Sequence, residues 1–563
     1  MEEPIKAFIT EITFNNGQRL SIAQNDIVLL VGPNNVGKSQ SLNDIYLKCE
    51  SRQASTIVVN DLNIEKTDGS LLSLLNAVSV ATDNGAWWNY TINGRNLNLH
   101  KSNGDTEFKN MDNYGVYREA FISHLTTEAR LSICKPAQSI NRNAPKTHPI
   151  HYAAFDYKYA KWLSDNFYKA FGQNLTPDNL FGATIPLCIG PTPLVNNSCE
   201  NEIERQAELA KTLEKYKQVQ NQGDGIKSFT GILLNLMLDY YRTYLIDEPE
   251  SFLHPPQARI MGQIIGCSLK NDQQAFISTH SEEIVKGLLD ECGDRLKIIR
   301  ITRKDDINAF SILNNQKIRE VFGDPLLKYS NIMSSLFHKT VVLCESDSDC
   351  KFYSVVENYL KQTKGKYSET LFIHCGGKQR MAKIAEALLS LDVDVRLIPD
   401  IDVLNDETIV RRIAEAFGID WGKLKSNYNV FVSGLHSTKE TINRNNAKTE
   451  IENILRGSTN NELSKKEIQS IVDSVKPISK WDGIKHGGKY IISNGDPAIA
   501  YNKIEEEFRN HHIYIVPVGE LERFVKEVSG HGPEWVNDVL EKYPDIGNDV
   551  YKSVREFIES IDL

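Results

Sequence analysis

Gly32-Pro33-Asn34-Asn35-Val36-Gly37-Lys38-Ser39 follows the apolar run Ile27-Val28-Leu29-Leu30-Val31 and precedes a stretch that reads as helix. This is the pattern G-x-x-x-x-G-K-[ST] in the strand–loop–helix setting that it requires. The glycines let backbone N–H groups curl around a polyphosphate. Lys38 would reach the β- and γ-phosphates, and Ser39 would hold Mg²⁺. Residues 32–39 are therefore expected to bind ATP, and a nucleotide is the first ligand the chain declares.

At 563 residues the chain is too long for one core, and two to four domains are expected. With 40% apolar and 25% charged residues it has an ordinary globular composition. No apolar run is long enough to span a bilayer, and Met1-Glu2-Glu3-Pro4 lacks the basic and apolar regions of a secretory signal. The nine cysteines are scattered without a CxxC pair, which argues against a zinc site or a disulfide framework. A reducing cytoplasm and no membrane partner are expected. A net charge of −10 excludes a surface that is basic everywhere, but leaves room for a local positive groove.

Downstream, Thr243-Tyr244-Leu245-Ile246-Asp247-Glu248-Pro249-Glu250 is an apolar strand ending in carboxylates. Asp247 would bind Mg²⁺ through its outer coordination sphere, and Glu248 would polarise the attacking water. After an expected helix from Pro256 to Leu269, Phe276-Ile277-Ser278-Thr279-His280-Ser281 reads as another buried strand with a histidine at its tip. This order, with the Leu253-His254-Pro255 wording, resembles the ABC/RecF/SMC group of ATPases. The resemblance implies that His280 contacts the γ-phosphate, and that a signature loop caps the nucleotide of a second subunit. The candidate loop is Gly223-Asp224-Gly225-Ile226-Lys227-Ser228, before a stripe of Phe229, Ile232, Leu233, Leu236 and Tyr240. Asp224 near a phosphate would be repulsive unless it caps the helix. Between Asn60 and Gln222 lies an insertion without motif. It is rich in aromatics (Trp87-Trp88, Phe155 to Tyr159, Trp162), and its charged run from Glu202 to Gln218 reads as a solvated helix or a hairpin arm.

A new unit begins around Ser330 to His338. Val341-Val342-Leu343-Cys344 is a buried strand that delivers Glu345, and Ser346-Asp347-Ser348-Asp349 opens a helix, one turn from Glu345 to Asp349. Leu371-Phe372-Ile373-His374 is a second strand, followed by Gly376-Gly377-Lys378. Val395-Arg396-Leu397-Ile398-Pro399 is a third, ending in Asp400-Ile401-Asp402, whose carboxylates share a side if the period is two. Such alternation builds a parallel sheet with its site at the C-terminal strand ends. Glu345, Asp349, Asp400 and Asp402 would converge there on two Mg²⁺ or Mn²⁺ ions, the usual device for breaking phosphodiesters. Ile513 to Val518 reads as another strand, ending in Gly519-Glu520-Leu521-Glu522, and Glu520 is the candidate additional metal ligand. Lys485 and Lys489 are candidates for contacting the scissile phosphate. A strand-end Glu followed by a strand-end Asp-x-Asp resembles the TOPRIM domain of topoisomerases, primases and some nucleases.

The α/β architecture expected is thus an ABC/RecF-type P-loop ATPase head over 1–337, with a helical insertion at about 60–222. A TOPRIM (Rossmann-like parallel sheet) domain with a C-terminal helical extension follows over 338–563. Fused in this order, the two halves resemble the OLD (overcoming lysogenization defect) family of nucleases. The resemblance implies an ATP-regulated, metal-dependent DNA endonuclease, assembled as a dimer or larger through its heads. It also implies an anti-phage effector of the Gabija or retron kind, with a regulatory partner such as a reverse transcriptase with its DNA. The alternative is a RecF/SMC-like DNA-associated scaffold with a non-catalytic TOPRIM fold. The intact carboxylate set argues against that alternative, because buried acidic clusters are costly.

Overall fold

The computed structural model describes residues 2–92, 95–142, 144–193, 201–238, 240–323, 331–436, 444–456, 462–474, 480–492, 494–561 and 563. The chain forms two compact units, Met1–Arg319 and Glu320–Leu563. The division falls before the expected boundary at 337/338 for a physical reason. The 3-10 segment Asn331–Phe337, with Ile332 and Leu336 fully buried, packs on a strand of the second unit.

In the first unit, β1 (Ile27–Val31), β2 (Ile122–Leu125), β3 (Thr243–Asp247), β4 (Gln274–Ser278), β5 (Leu296–Lys304) and β6 (Ile307–Leu313) form one sheet, in the order β6-β5-β1-β4-β3-β2. All neighbours are parallel except the β5–β6 hairpin. β1 and β4 are buried at every position, as central parallel strands covered on both faces must be. The helices used below are α1 (Lys38–Glu50), α2 (Tyr157–Phe171), α3 (Asp224–Leu236), α4 (Pro255–Ser268) and α5 (Glu282–Glu291). α4 lies within one residue of the helix expected at either end.

The segment 60–222 differs from one continuous insertion. Val59–Lys66 pairs antiparallel with Ala7–Phe14, and β2 re-enters the main sheet beside β3. A four-residue strand, Ile-Ser-His-Leu, is too short to show a period. Within the charged run, Glu202–Leu213 is helical, while Lys217–Gln218 pairs with Leu187–Gly190. Tyr240, expected on the α3 stripe, lies beyond the end of that helix at Leu236.

In the second unit β7 (Thr340–Cys344), β8 (Thr370–His374) and β9 (Asp394–Ile398) form a parallel sheet in the order β8-β7-β9. They are connected through α6 (Asp347–Thr363) and α7 (Lys378–Leu389). The expected strand Ile513 to Val518 runs alongside β9 but forms a single parallel bridge, Leu397↔Ile513. Val516 N–H donates to Pro399 O at 3.0 Å, but Pro399 and Pro517 have no N–H to extend the ladder. C-terminal helices (Gly532–Lys542, Lys552–Glu559) bring Trp535 and Phe557 against Phe352 and Tyr353 of α6.

Candidate functional site

The phosphate loop is shaped by contacts that only glycine satisfies. Gly32 has φ 143°, and a Cβ there would sit 2.3 Å from Ile301 O. Gly37, at φ 92°, is the N-cap of α1, so the N–H groups of that helix face the loop. Lys38 is buried, and its Nζ donates to Gly32 O at 2.8 Å and Pro33 O at 2.7 Å. Burial lowers its pKa to about 8, against the opposing pull of Glu248, Glu250 and Asp247. Ser39, next in line, is exposed at the start of α1.

β3 and β4 deliver the remaining groups side by side, in the register Asp247↔Ser278. Ser278 Oγ donates to Asp247 Oδ1. Glu248, at φ 46°, places Oε1 3.4 Å from His280 Nε2. The His280 backbone N–H donates to Glu250 Oε1 at 2.7 Å, which ties the histidine turn to the acidic one. Burial, with Lys38 nearby, holds the His280 pKa at about 4, so its ring is neutral at physiological pH. The loop, Lys38, Asp247, Glu248 and His280 are thereby brought together in a site that fits a nucleotide triphosphate.

Arg130 carried no sequence signal. It is fully buried, and its Nη1 donates to Asp247 O and its Nη2 to Glu248 O (3.3 Å), clamping the backbone that carries the expected water-activating carboxylate. Only the pairing of β2 with β3 makes it a neighbour. The expected signature segment opens α3, but Asp224 does not cap that helix. Gly223 is the N-cap, and Asp224 pairs with Lys227 at 2.8 Å, which neutralises the repulsion expected of it.

The second constellation lies at the C-terminal ends of β7 and β9. Glu345 follows β7 directly, and its Oε2 is buried without a hydrogen-bond partner. Asp400 follows Pro399, and Asp402 falls within the 3-10 turn Ile401–Asn405. The period-two argument for a shared side therefore does not hold, and Asp402 is positioned instead by the turn. Lys378 Nζ, at the start of α7, donates to Asp402 Oδ2 at 3.0 Å, while Asp402 Oδ1 is buried and unpartnered. Asp349 closes the capping box of α6, accepting from Ser346 N–H at 2.7 Å. Burial raises the pKa of Glu345, Asp349 and Asp400; repulsion from Asp402 adds to it at Glu345, from Glu522 at Asp349, and from Asp349, Glu345 and Asp402 at Asp400. For Lys485 burial alone would lower the pKa; Asp402, Glu520, Asp400 and Glu345 outweigh it and hold it raised.

Lys485 and Glu520 meet because glycines allow close backbone approach. A Cβ on Gly519 would lie 2.1 Å from Lys485 O, and one on Gly488 would lie 2.2 Å from Pro517 O. Lys485 Nζ is 3.6 Å from Glu520 Oε2, and Glu520 also faces His486 (3.2 Å) and Arg523 (3.1 Å). Lys489, the other phosphate candidate, is instead held by Glu505 at 3.0 Å. Among the described residues, three potential ligand atoms come within 4.8 Å of one another only in Glu520, Glu522 and His531. His531 was not legible in the sequence, since eight residues without a motif separate it from Glu522. Glu345, Asp349, Asp400 and Asp402 share a neighbourhood without closing to that distance. Unpartnered carboxylate oxygens on Glu345 and Asp402, in an all-oxygen donor set, nonetheless fit a hard divalent cation.

Residues 203–286 match the family described as "AAA domain, putative AbiEii toxin, Type IV TA system". The Old nuclease of Escherichia phage P2 is 21% identical over 331 residues, covering 56% of this chain and 49% of that protein. Over that stretch the chain is similar to an OLD nuclease. It spans about half the length of that nuclease. The chain is also 32% identical over 111 residues to the uncharacterized protein MJECL11 of Methanocaldococcus jannaschii, covering 18% of this chain and 95% of that one. Solved structures similar to it include an Smc head bound to the C-winged helix domain of ScpA (14% identity, 55% of this chain, 99% of that chain, TM-score 0.35). The SMC head domain from Thermotoga maritima is another (12% identity, 55% of this chain, 100% of that chain, TM-score 0.28). Among the described residues, no helix is long and apolar enough to cross a membrane.

Proposed function

We propose that this chain is an ATP-regulated, divalent-metal-dependent DNA endonuclease. The observation that carries the reading is the pair of buried, unpartnered carboxylate oxygens on Glu345 and Asp402, beside Asp400 and the Lys485–Glu520 pair. Glu345, Asp400 and Asp402, with Asp349 and Glu520 around them, would hold Mg²⁺ or Mn²⁺. When bound, the metal supplies Lewis-acid stabilisation of the attacking and leaving oxygens. Lys485 would orient the scissile phosphate, and Lys378 holds Asp402 at its post. In the head, Lys38 and the loop N–H groups bind the triphosphate, Ser39 and Asp247 take its Mg²⁺, Glu248 orients water, and neutral His280 faces the γ-phosphate. Homodimerisation through the heads and control by a partner such as a reverse transcriptase with its DNA belong to the same proposal. So does a role in bacterial anti-phage defence, of the Gabija or retron kind.

The test is cleavage of plasmid and linear DNA with Mg²⁺ or Mn²⁺, with and without ATP. Glu345→Ala is expected to abolish cutting. Lys38→Ala then reports whether ATP licenses or restrains it. Cleavage at the wild-type rate in Glu345→Ala would sink the assignment and favour the scaffold reading.

A further inference from the structure

The outer face of α2 was read above only as aromatic-rich sequence. Its inner face is core: Leu163 and Phe167 are fully buried, and Phe171 meets Phe229 of α3 with ring centroids 5.1 Å apart. Outward, the helix presents Tyr157 (79% exposed), Tyr168 (54% exposed), Lys158, Lys161 and Lys169. Beside it lies an open cleft of about 390 Å³ lined by Lys158, Tyr159, Lys161, Trp162, Asp165 and Lys270, closed at its base by the ends of α3 and α4. Asp165 is the one acid in that lining, and it pairs with Lys161 at 2.7 Å.

Aromatic faces interleaved with ammonium groups match one ligand chemistry. Bases stack on the rings while the phosphates between them meet the lysines. On a chain of net charge −10, this concentration of lysine stands against the background. Stacking on Tyr159 and Trp162 needs bases whose faces are free, which a duplex does not offer. We infer that the α2 cleft is a docking site for single-stranded nucleic acid. The inference rests on the reading that nucleic acid is this chain's ligand, but not on the nuclease chemistry. It is also separate from the nucleotide site. α4 runs 14 residues, about 20 Å, from the acidic turn of β3 to the cleft at Ser268.

The experiment uses the full chain in EDTA, so that metal-dependent cleavage cannot consume the probe. Binding of a fluorescein-labelled oligothymidylate of about 20 nucleotides is followed by anisotropy across salt concentrations. Trp162→Ala is expected to weaken binding about 10-fold without changing the salt slope. Lys158→Gln/Lys161→Gln/Lys270→Gln is expected to make the log–log salt slope shallower by about 2. ATP hydrolysis, measured separately with Mg²⁺, should be unchanged in both. The inference is overturned by unaltered affinity and slope in both variants, by no binding in the unmodified chain, or by duplex binding that depends equally on these residues. Competition by a protein partner but not by oligonucleotide overturns it too. Oligonucleotide binding that follows the cleft, alongside cleavage indifferent to Glu345→Ala, would leave this site standing while the nuclease assignment fell.

Discussion

Glu248 adopts φ 46°, a left-handed backbone that costs a non-glycine residue about 1–2 kcal/mol. The chain tolerates it because Arg130 grips the carbonyls on both sides of the Asp247–Glu248 bond, and Ser278 O accepts from Glu248 N–H at 3.0 Å. A backbone held this firmly aims one carboxylate, so Glu248→Gln is expected to lower ATP hydrolysis at least ~100-fold while retaining nucleotide binding. Phosphate release and titration with a fluorescent nucleotide separate the two effects. A second residue, His148, caps the helix Pro149–Phe155, its Nδ1 accepting from Ile150 N–H at 3.2 Å. Burial, with His151 adding to it, lowers its pKa from 6.5 to about 4. The unfolded chain binds the proton first, so this contribution to stability is full above 6.5 and is lost as pH falls towards 4. The melting temperature of the first unit should therefore drop between about pH 7 and about pH 5, and His148→Asn, which can still cap, should flatten that drop.

At the scale of elements, α3 decides how the expected signature segment sits. Gly225 and Gly231 bring its backbone against the turn at Phe252 and the short helix Thr127–Ser132, since a Cβ would lie 2.5 Å from Phe252 O in the first case and 2.2 Å from Arg130 O in the second. The same residue that clamps the acidic turn thus abuts α3 through its own backbone. Gly231→Val is expected to push α3 away and destabilise the first unit by about 1–3 kcal/mol, read as a lower urea midpoint. Elements with strong local reasons were legible in the chain. β1 and α1 flank a loop whose glycines have one function, and α4 follows a Pro-initiated, apolar-periodic stretch. Others were not. β2 is too short to carry a period, and the run at Ile513 to Val518 looked like a strand because burial, not ladder pairing, makes it apolar.

For the whole molecule, two compact units imply two ligand-linked stabilities. ATP should raise the transition of the unit holding Lys38, and Mn²⁺ that of the unit holding Glu345, each by about 2.7 kcal/mol at a hundredfold excess over Kd. Differential scanning calorimetry with each ligand alone checks this; a single transition moved equally by both would refute it. The sequence by itself determined which residues could meet a nucleotide or a divalent cation, because a phosphate loop and strand-end carboxylates are local patterns dictated by backbone geometry and charge. It named Lys38, Asp247, Glu248, His280, Glu345, Asp400, Asp402, Lys485 and Glu520. Only the tertiary structure decided which partners those groups have. Arg130 reaches Asp247 and Glu248 across 117 and 118 positions, and Lys378 reaches Asp402 across 24. Lys489 is taken by Glu505, and His531 joins Glu522. Charge pairing depends on distance in space, and distance in space between remote residues is set by packing, which no local pattern encodes.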